Sequence, residues 1–148
     1  GHHLPQTPKL LQYQAIDSHD SLNNTINVFA VYVMRYVLEW YQEQGGVAAM
    51  EQQNRQKAKL LYDYLDESDF FLTIVNPPDR SLVNVIFNLP TTELLQQFLQ
   101  ECEEVGLLAL KGHREVGGVR ASLYNALPSA AVERLVEKMR DFERKALT

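Results

Sequence analysis

Residues 28–44, VFAVYVMRYVLEWYQEQ, are apolar on nearly every side until Arg35 and Glu39 interrupt them. A helix with this pattern must be buried against several neighbours, because no face of it suits water. It falls short of the roughly 20 apolar residues needed to span a bilayer. Its cover must therefore be protein. Gly45-Gly46 ends it in the manner of a C-cap. A chain built around such a helix needs further layers, and the remaining sequence shows where they lie.

A second helix is predicted at about 47–66, where Met50, Ala58, Leu61 and Leu65 recur at helical spacing with charges between them. FFLTIV (70–75) and LVNVIFNL (82–89) read as strands joined by the turn NPPDR. Thr91 or Thr92 can cap a helix over 93–105, which Gly106 ends. LLAL (107–110) and VRASLYNAL (119–127) read as two more strands, and Pro128-Ser129 opens a last amphipathic helix to about 145. At the other end, KLLQYQAI (9–16) suits a short strand and SHDSLNNTIN (18–27) a polar loop. These elements specify an α+β fold, with a small, largely antiparallel sheet covered by helices on one face. Three segments follow: a lead-in strand and loop over 1–27, a connecting helix over 28–44, and a small domain over 45–148.

Charge narrows the function. The chain carries a net charge of −5, yet residues 111–120, KGHREVGGVR, hold Lys111, Arg114 and Arg120 against Glu115 alone. That contrast points to a local anion site rather than a generally basic surface. A nucleic-acid backbone would require a broad basic face instead, and a membrane span is not available. Arginine's planar fork matches carboxylate or phosphate bidentately. Two arginines six positions apart, one in a loop and one starting a strand, can meet two different anionic groups. Gly117-Gly118 permits a sharp turn and close backbone approach, and His113 adds another donor. The same composition also fits a plain hairpin whose solvated charges guard a sheet edge.

Other residues carry less. Cys102 lies in the 93–105 helix as a core residue, and a single cysteine forms no internal disulfide, so a reducing compartment and a cytoplasmic location are expected. Tyr32, Tyr36, Trp40 and Tyr41 read as packing, and Asp63, Asp66, Glu67 and Asp69 as a solvated helix end. His2 and His3 are two ligands where a metal usually needs three or four. No metal site, catalytic triad or paired-carboxylate motif is read.

LLALKGHREVGGVRASLYNAL closely resembles the C-terminal signature of the phosphoserine aminotransferases. SLNNTINVFAVYVMRYVLEW followed by QGG, then QKAKLLYDYLD, SLVNVIFNL and VEKMRDFER, fall in that family's order and spacing, so the resemblance spans residues 8–145. It implies the C-terminal small domain of a fold-type-I, pyridoxal-phosphate-dependent aminotransferase, cytoplasmic and homodimeric when complete. It implies amino-group exchange between glutamate and 3-phosphohydroxypyruvate in serine biosynthesis, and in many bacterial members a part in pyridoxine biosynthesis. Arg120 matches the residue that anchors the substrate α-carboxylate. His113 and Arg114 match the pair that binds the distal phosphate or carboxylate and reaches the partner subunit's site. Asn24 and Thr25 match the pair that contacts the cofactor phosphate across the dimer.

The resemblance also implies absences. The family's Schiff-base lysine belongs to a preceding larger domain, and none of the lysines here stands in a matching context. No catalytic residue is therefore assigned, and neither bound cofactor nor activity is expected of this segment alone. Ile26-Asn27 replaces the family's Pro-Pro, adding two backbone donors. Glu115 stands where small or apolar residues are usual and is expected to pair with Arg114. Two rival readings remain: the small domain of another fold-type-I aminotransferase, or a non-catalytic module that binds anions or partners.

Overall fold

The computed structural model describes residues 3–148, so His2 of the two-histidine motif lies outside the described residues. The chain divides at Gln44/Gly45 into two compact units.

The first unit holds a 3₁₀ turn at Lys9–Leu11 and two helices, α1 (Tyr13–Asp17) and α2 (Val28–Glu43). The strand expected over 9–16 is absent. Pro8 holds φ at −53° and accepts from the Leu11 amide at 2.9 Å, and the Gln12 amide donates to the Lys9 carbonyl at 3.1 Å. These short-range bonds start a helical turn where the mixed apolar pattern was read as a strand. The α2 helix forms where expected. Asn27, one of the two departures from Pro-Pro, caps it: its Oδ1 accepts from the Ala30 amide at 3.0 Å. The helix was expected to be buried, but none of its residues is. Phe29 remains 75 % exposed.

The second unit contains α3 (Gly46–Glu67), β1 (Leu72–Thr73), β2 (Asn84–Asn88), α4 (Thr92–Glu104), β3 (Val119–Ser122) and α5 (Ser129–Ala146). The sheet is antiparallel in the order β1-β2-β3. Val85 pairs with Ala121 and Phe87 with Val119, all four buried against the helices. Alternation then puts Ile86, Arg120, Asn84 and Ser122 on the opposite face.

Three of the four expected strands are present, each shortened, and 107–110 is not one. The Gly106 backbone is left-handed (φ 79°), the Leu107 amide returns to the Cys102 carbonyl at 2.9 Å, and the Gly106 amide to Glu103 at 3.0 Å. That Schellman cap redirects the chain. Ala109, also at positive φ (59°), then interrupts the extended run, leaving one bridge from Lys111 to Val119. At 70–75, Ser68 Oγ accepts from the amides of both Phe70 and Phe71, burying consecutive side chains where a strand would alternate.

The core is aromatic. Phe98 lies edge-on to Phe71 and Phe142, with ring centroids 5.4 and 5.2 Å apart, so α4, α5 and the sheet meet on one side chain. Cys102 is fully buried beside them, and burial pushes its thiol up to about 11. At the rim, Tyr64 donates a short hydrogen bond to Glu143, which also accepts from Ser68 at 2.9 Å. Burial first, then that bond, hold the Tyr64 phenol well above its ordinary range. No helix among the described residues is long and apolar enough to cross a membrane.

Candidate functional site

The basic segment forms a closed hairpin between Lys111 and Val119. The Gly112 amide donates to the Gly118 carbonyl at 2.9 Å, and the His113 carbonyl accepts from Val116 and Gly117 at 3.0 and 2.7 Å. Two glycines make this possible for different reasons. A Cβ on Gly112 would sit 1.9 Å from the Gly117 carbonyl oxygen. Gly118 is left-handed (φ 68°), and its Cβ would fall 2.7 Å from the Phe87 oxygen. The base of the hairpin at Gly118 therefore lies close against β2, and the tip is fixed by its own backbone.

Lys111, His113, Arg114 and Arg120 are all exposed. No carboxylate forms an ion pair with Lys111, Arg114 or Arg120 among the described residues. The expected Glu115–Arg114 pair is not among the ion pairs, and the Glu115 amide donates to His113 Nδ1 at 3.3 Å. That contact makes Nδ1 an acceptor and leaves Nε2–H as the outward donor. The cations thus stand ready for an external anion.

They do not share one hollow. His113 and Arg114 line a groove of about 420 Å³ with Lys111 and the α4 residues Gln96 and Gln100. Arg120 borders a separate hollow of about 450 Å³ with Leu108, Ala109, Ser122 and Tyr124. Its amide donates to the Leu110 carbonyl at 2.8 Å, which fixes the strand and leaves the guanidinium clear. Two exposed cationic positions, Arg114 and Arg120, thus open onto different hollows.

Asn24 and Thr25 belong to the first unit, exposed just before the N-terminus of α2. An amide and a hydroxyl ahead of a helix N-terminus are donors of the kind a phosphate takes. Among the lysines, Lys57 is buried, Lys59 pairs with Asp63 at 2.6 Å, and Lys138 pairs with Glu101 at 2.6 Å. Lys9, Lys111 and Lys145 are exposed.

Sequence reading did not single out Ile86, which pairs with Arg120 across the sheet, or Lys57, which is buried on α3. Lys57 had a signal: it occupies a core position on the Met50–Leu61 stripe, where a charge has no business unless it is matched.

Residues 1–135 match the family model for class-V aminotransferases. A phosphoserine aminotransferase of Bacillus cereus is 52 % identical over 136 residues, covering 92 % of this chain and 38 % of the relative. One from Janthinobacterium is 47 % identical, covering 98 % and 40 %. The chain thus spans about two fifths of the length of the curated relatives it matches. Among solved structures, phosphoserine aminotransferase from Bacillus circulans subsp. alkalophilus superposes with a TM-score of 0.88 at 41 % identity, over 95 % of this chain and 39 % of that one. A pyridoxal-phosphate-bound phosphoserine aminotransferase from Trichomonas vaginalis gives 0.82 at 36 % identity, over 93 % and 39 %. By sequence along nearly its whole length, and by a fold that agrees, the chain belongs to the class-V aminotransferase family.

Proposed function

We propose that this chain is the substrate-anion half of a phosphoserine aminotransferase, the C-terminal small domain with its connecting helix over 28–44 and lead-in over 1–27. The complete enzyme exchanges an amino group between glutamate and 3-phosphohydroxypyruvate, giving 2-oxoglutarate and phosphoserine. It works as a cytoplasmic homodimer in serine biosynthesis. The observation that carries this reading is the pair of separated cationic positions, Arg120 and His113-Arg114, none of them neutralised by a carboxylate, on a hairpin fixed by Gly112 and Gly118.

Each residue has a distinct task. Arg120 receives the α-carboxylate that glutamate and phosphoserine share, and its fork fixes the orientation of the acid about that end. Arg114 and His113 Nε2–H receive the distal group, a phosphate in one substrate and a carboxylate in the other. Asn24 and Thr25 donate to the phosphate of pyridoxal phosphate. When bound, that cofactor supplies the electron sink for the exchange. Its covalent attachment falls to residues outside this chain.

The test is a set of three substitutions in the complete enzyme, with both half-reactions measured. Arg120→Lys is expected to lower kcat/KM for glutamate and for phosphoserine roughly ten- to a hundredfold, because a point charge cannot reproduce two parallel hydrogen bonds. Arg114→Ala and His113→Ala are expected to cost more with the phosphate substrate than with glutamate. Small and equal effects on both substrates would return the segment to a solvated hairpin.

A further inference from the structure

Lys57 is the one charged side chain buried among the described residues, 2 % exposed. It forms no ion pair there. Its Nζ instead donates to three backbone carbonyls: Tyr124 at 2.8 Å, Leu127 at 3.1 Å and Leu123 at 3.4 Å. An ammonium has three donors, and a buried one persists only when they are matched. Burial holds its pKa below the usual lysine value, the sign of a charge that costs something to keep. A methionine would fill the same space without that desolvation, so packing does not account for the residue.

The three carbonyls belong to a single feature, the turn that takes the chain from β3 into α5. The Leu127 amide closes that turn on Tyr124 at 2.9 Å. One helical turn earlier on α3, Asn54 Nδ2 donates to Asn125 Oδ1 at 2.6 Å. Thus α3 holds the turn by backbone through Lys57 and by side chain through Asn54. Upstream, the Leu123 amide is tied to the Val83 carbonyl at 2.8 Å and the Arg120 amide to Leu110 at 2.8 Å. Arg120 lies only three residues before Leu123, too few for an extended strand to absorb movement of its end.

We infer that Lys57 is a positioning residue: its ammonium latches the β3–α5 turn and thereby sets the direction in which β3 presents Arg120. This rests on the assignment of Arg120 to the anion site and adds that the site is aimed from behind the sheet, by α3.

Two readouts keep the latch and that assignment separable. The first is amide hydrogen exchange on the 148-residue chain carrying Lys57→Met. Exchange at Arg120, Leu123 and Leu127 is expected to accelerate by about tenfold or more relative to Phe98 and Cys102 in α4, which report global stability. Uniform acceleration at all five amides, or none, overturns the latch. If Lys57→Met does not fold, Lys57→Gln keeps a polar group whose shorter amide cannot match all three carbonyls. It is expected to give the same local pattern at about threefold, with uniform change or no change again overturning the latch. The second readout is KM for glutamate and phosphoserine in the complete enzyme with Lys57→Met, expected to rise for both with kcat less affected. A rise in KM without local loosening overturns the latch. Local loosening with unchanged KM overturns the aiming of Arg120 if Arg120→Lys does raise KM, and removes Arg120 from the anion site if it does not.

Discussion

Ile86 and Arg120 stand directly opposite each other across β2 and β3. The bond from the Leu123 amide to Val83 sets the parity of the ladder, which makes 86/120 a non-hydrogen-bonded pair with closely spaced side chains. Ile86 is half-buried and uncharged, so it supports the arginine's aliphatic stem without competing for its fork. Replacing it with Glu would set a carboxylate against the guanidinium. Ile86→Glu in the complete enzyme is expected to raise KM for both substrates by about tenfold, while Ile86→Val leaves KM within about twofold. Steady-state kinetics with glutamate and phosphoserine check this.

Neighbouring glycines in the hairpin should respond in opposite ways. Gly117 is left-handed with open space around its absent Cβ, whereas the same atom on Gly118 would strike the Phe87 carbonyl. Gly117→Asn is expected to change stability by no more than about 0.5 kcal/mol, since Asn tolerates this backbone. Gly118→Asn is expected to cost about 2 kcal/mol or more, from the clash with β2. Thermal melts of the two variants decide it. Equal losses would mean that the hairpin does not rest on β2.

Phe29, Val33, Tyr36 and Val37 recur at helical spacing along α2, and all are exposed. An apolar stripe of this size promotes association. The chain on its own is expected to sediment as dimers or larger species, and Phe29→Glu with Val33→Glu to shift it to monomer. A wild-type chain that stays monomeric at 100 µM, on the order of the concentrations at which such patches associate, would count against this.

Glu101 on α4 joins Lys138 on α5 at 2.6 Å, both largely buried. The hydrogen bond from Lys138, before any other influence, holds the Glu101 carboxyl below its usual value. A folded-state value below the unfolded one gives stability that is complete above the unfolded pKa and lost as pH falls through the folded one. Glu101→Gln is therefore expected to cost about 1 kcal/mol at pH 7 and to melt like wild type near pH 3. Melting curves from pH 3 to 7 show whether the two profiles converge. Parallel curves would mean that the pair contributes nothing dependent on charge.

The helices were legible because their signals are local. Thr91 Oγ1 accepts from the Leu94 amide at 3.3 Å, and Gly106 closes the other end of α4, both within reach of a window of sequence. The strand misread at 107–110 failed on one residue: nothing about alanine announces the left-handed backbone of Ala109. The cations of the hairpin were visible as composition, but their division between two hollows depends on α4 and α5. Lys57 was marked by its core position on α3, but its carbonyl partners lie 66 to 70 residues away and could not be read from the sequence. The burial expected for α2 failed: an apolar pattern states what a helix requires, and none of its residues is buried.

The alternation along β3, with Val119 and Ala121 inward and Arg120 outward, also limits how this segment can change in length. Because side chains switch faces at every residue, one inserted or deleted position between Gly118 and Arg120 would drive the guanidinium into the phenylalanine cluster and turn a core valine outward. At the tip, between His113 and Gly117, the backbone pairs only with itself, and extra residues would leave the register untouched. Relatives of this chain should therefore vary in length at the tip and hold a constant count from Gly118 to Ser122, a pattern of gaps that an alignment of their hairpins can confirm or refute.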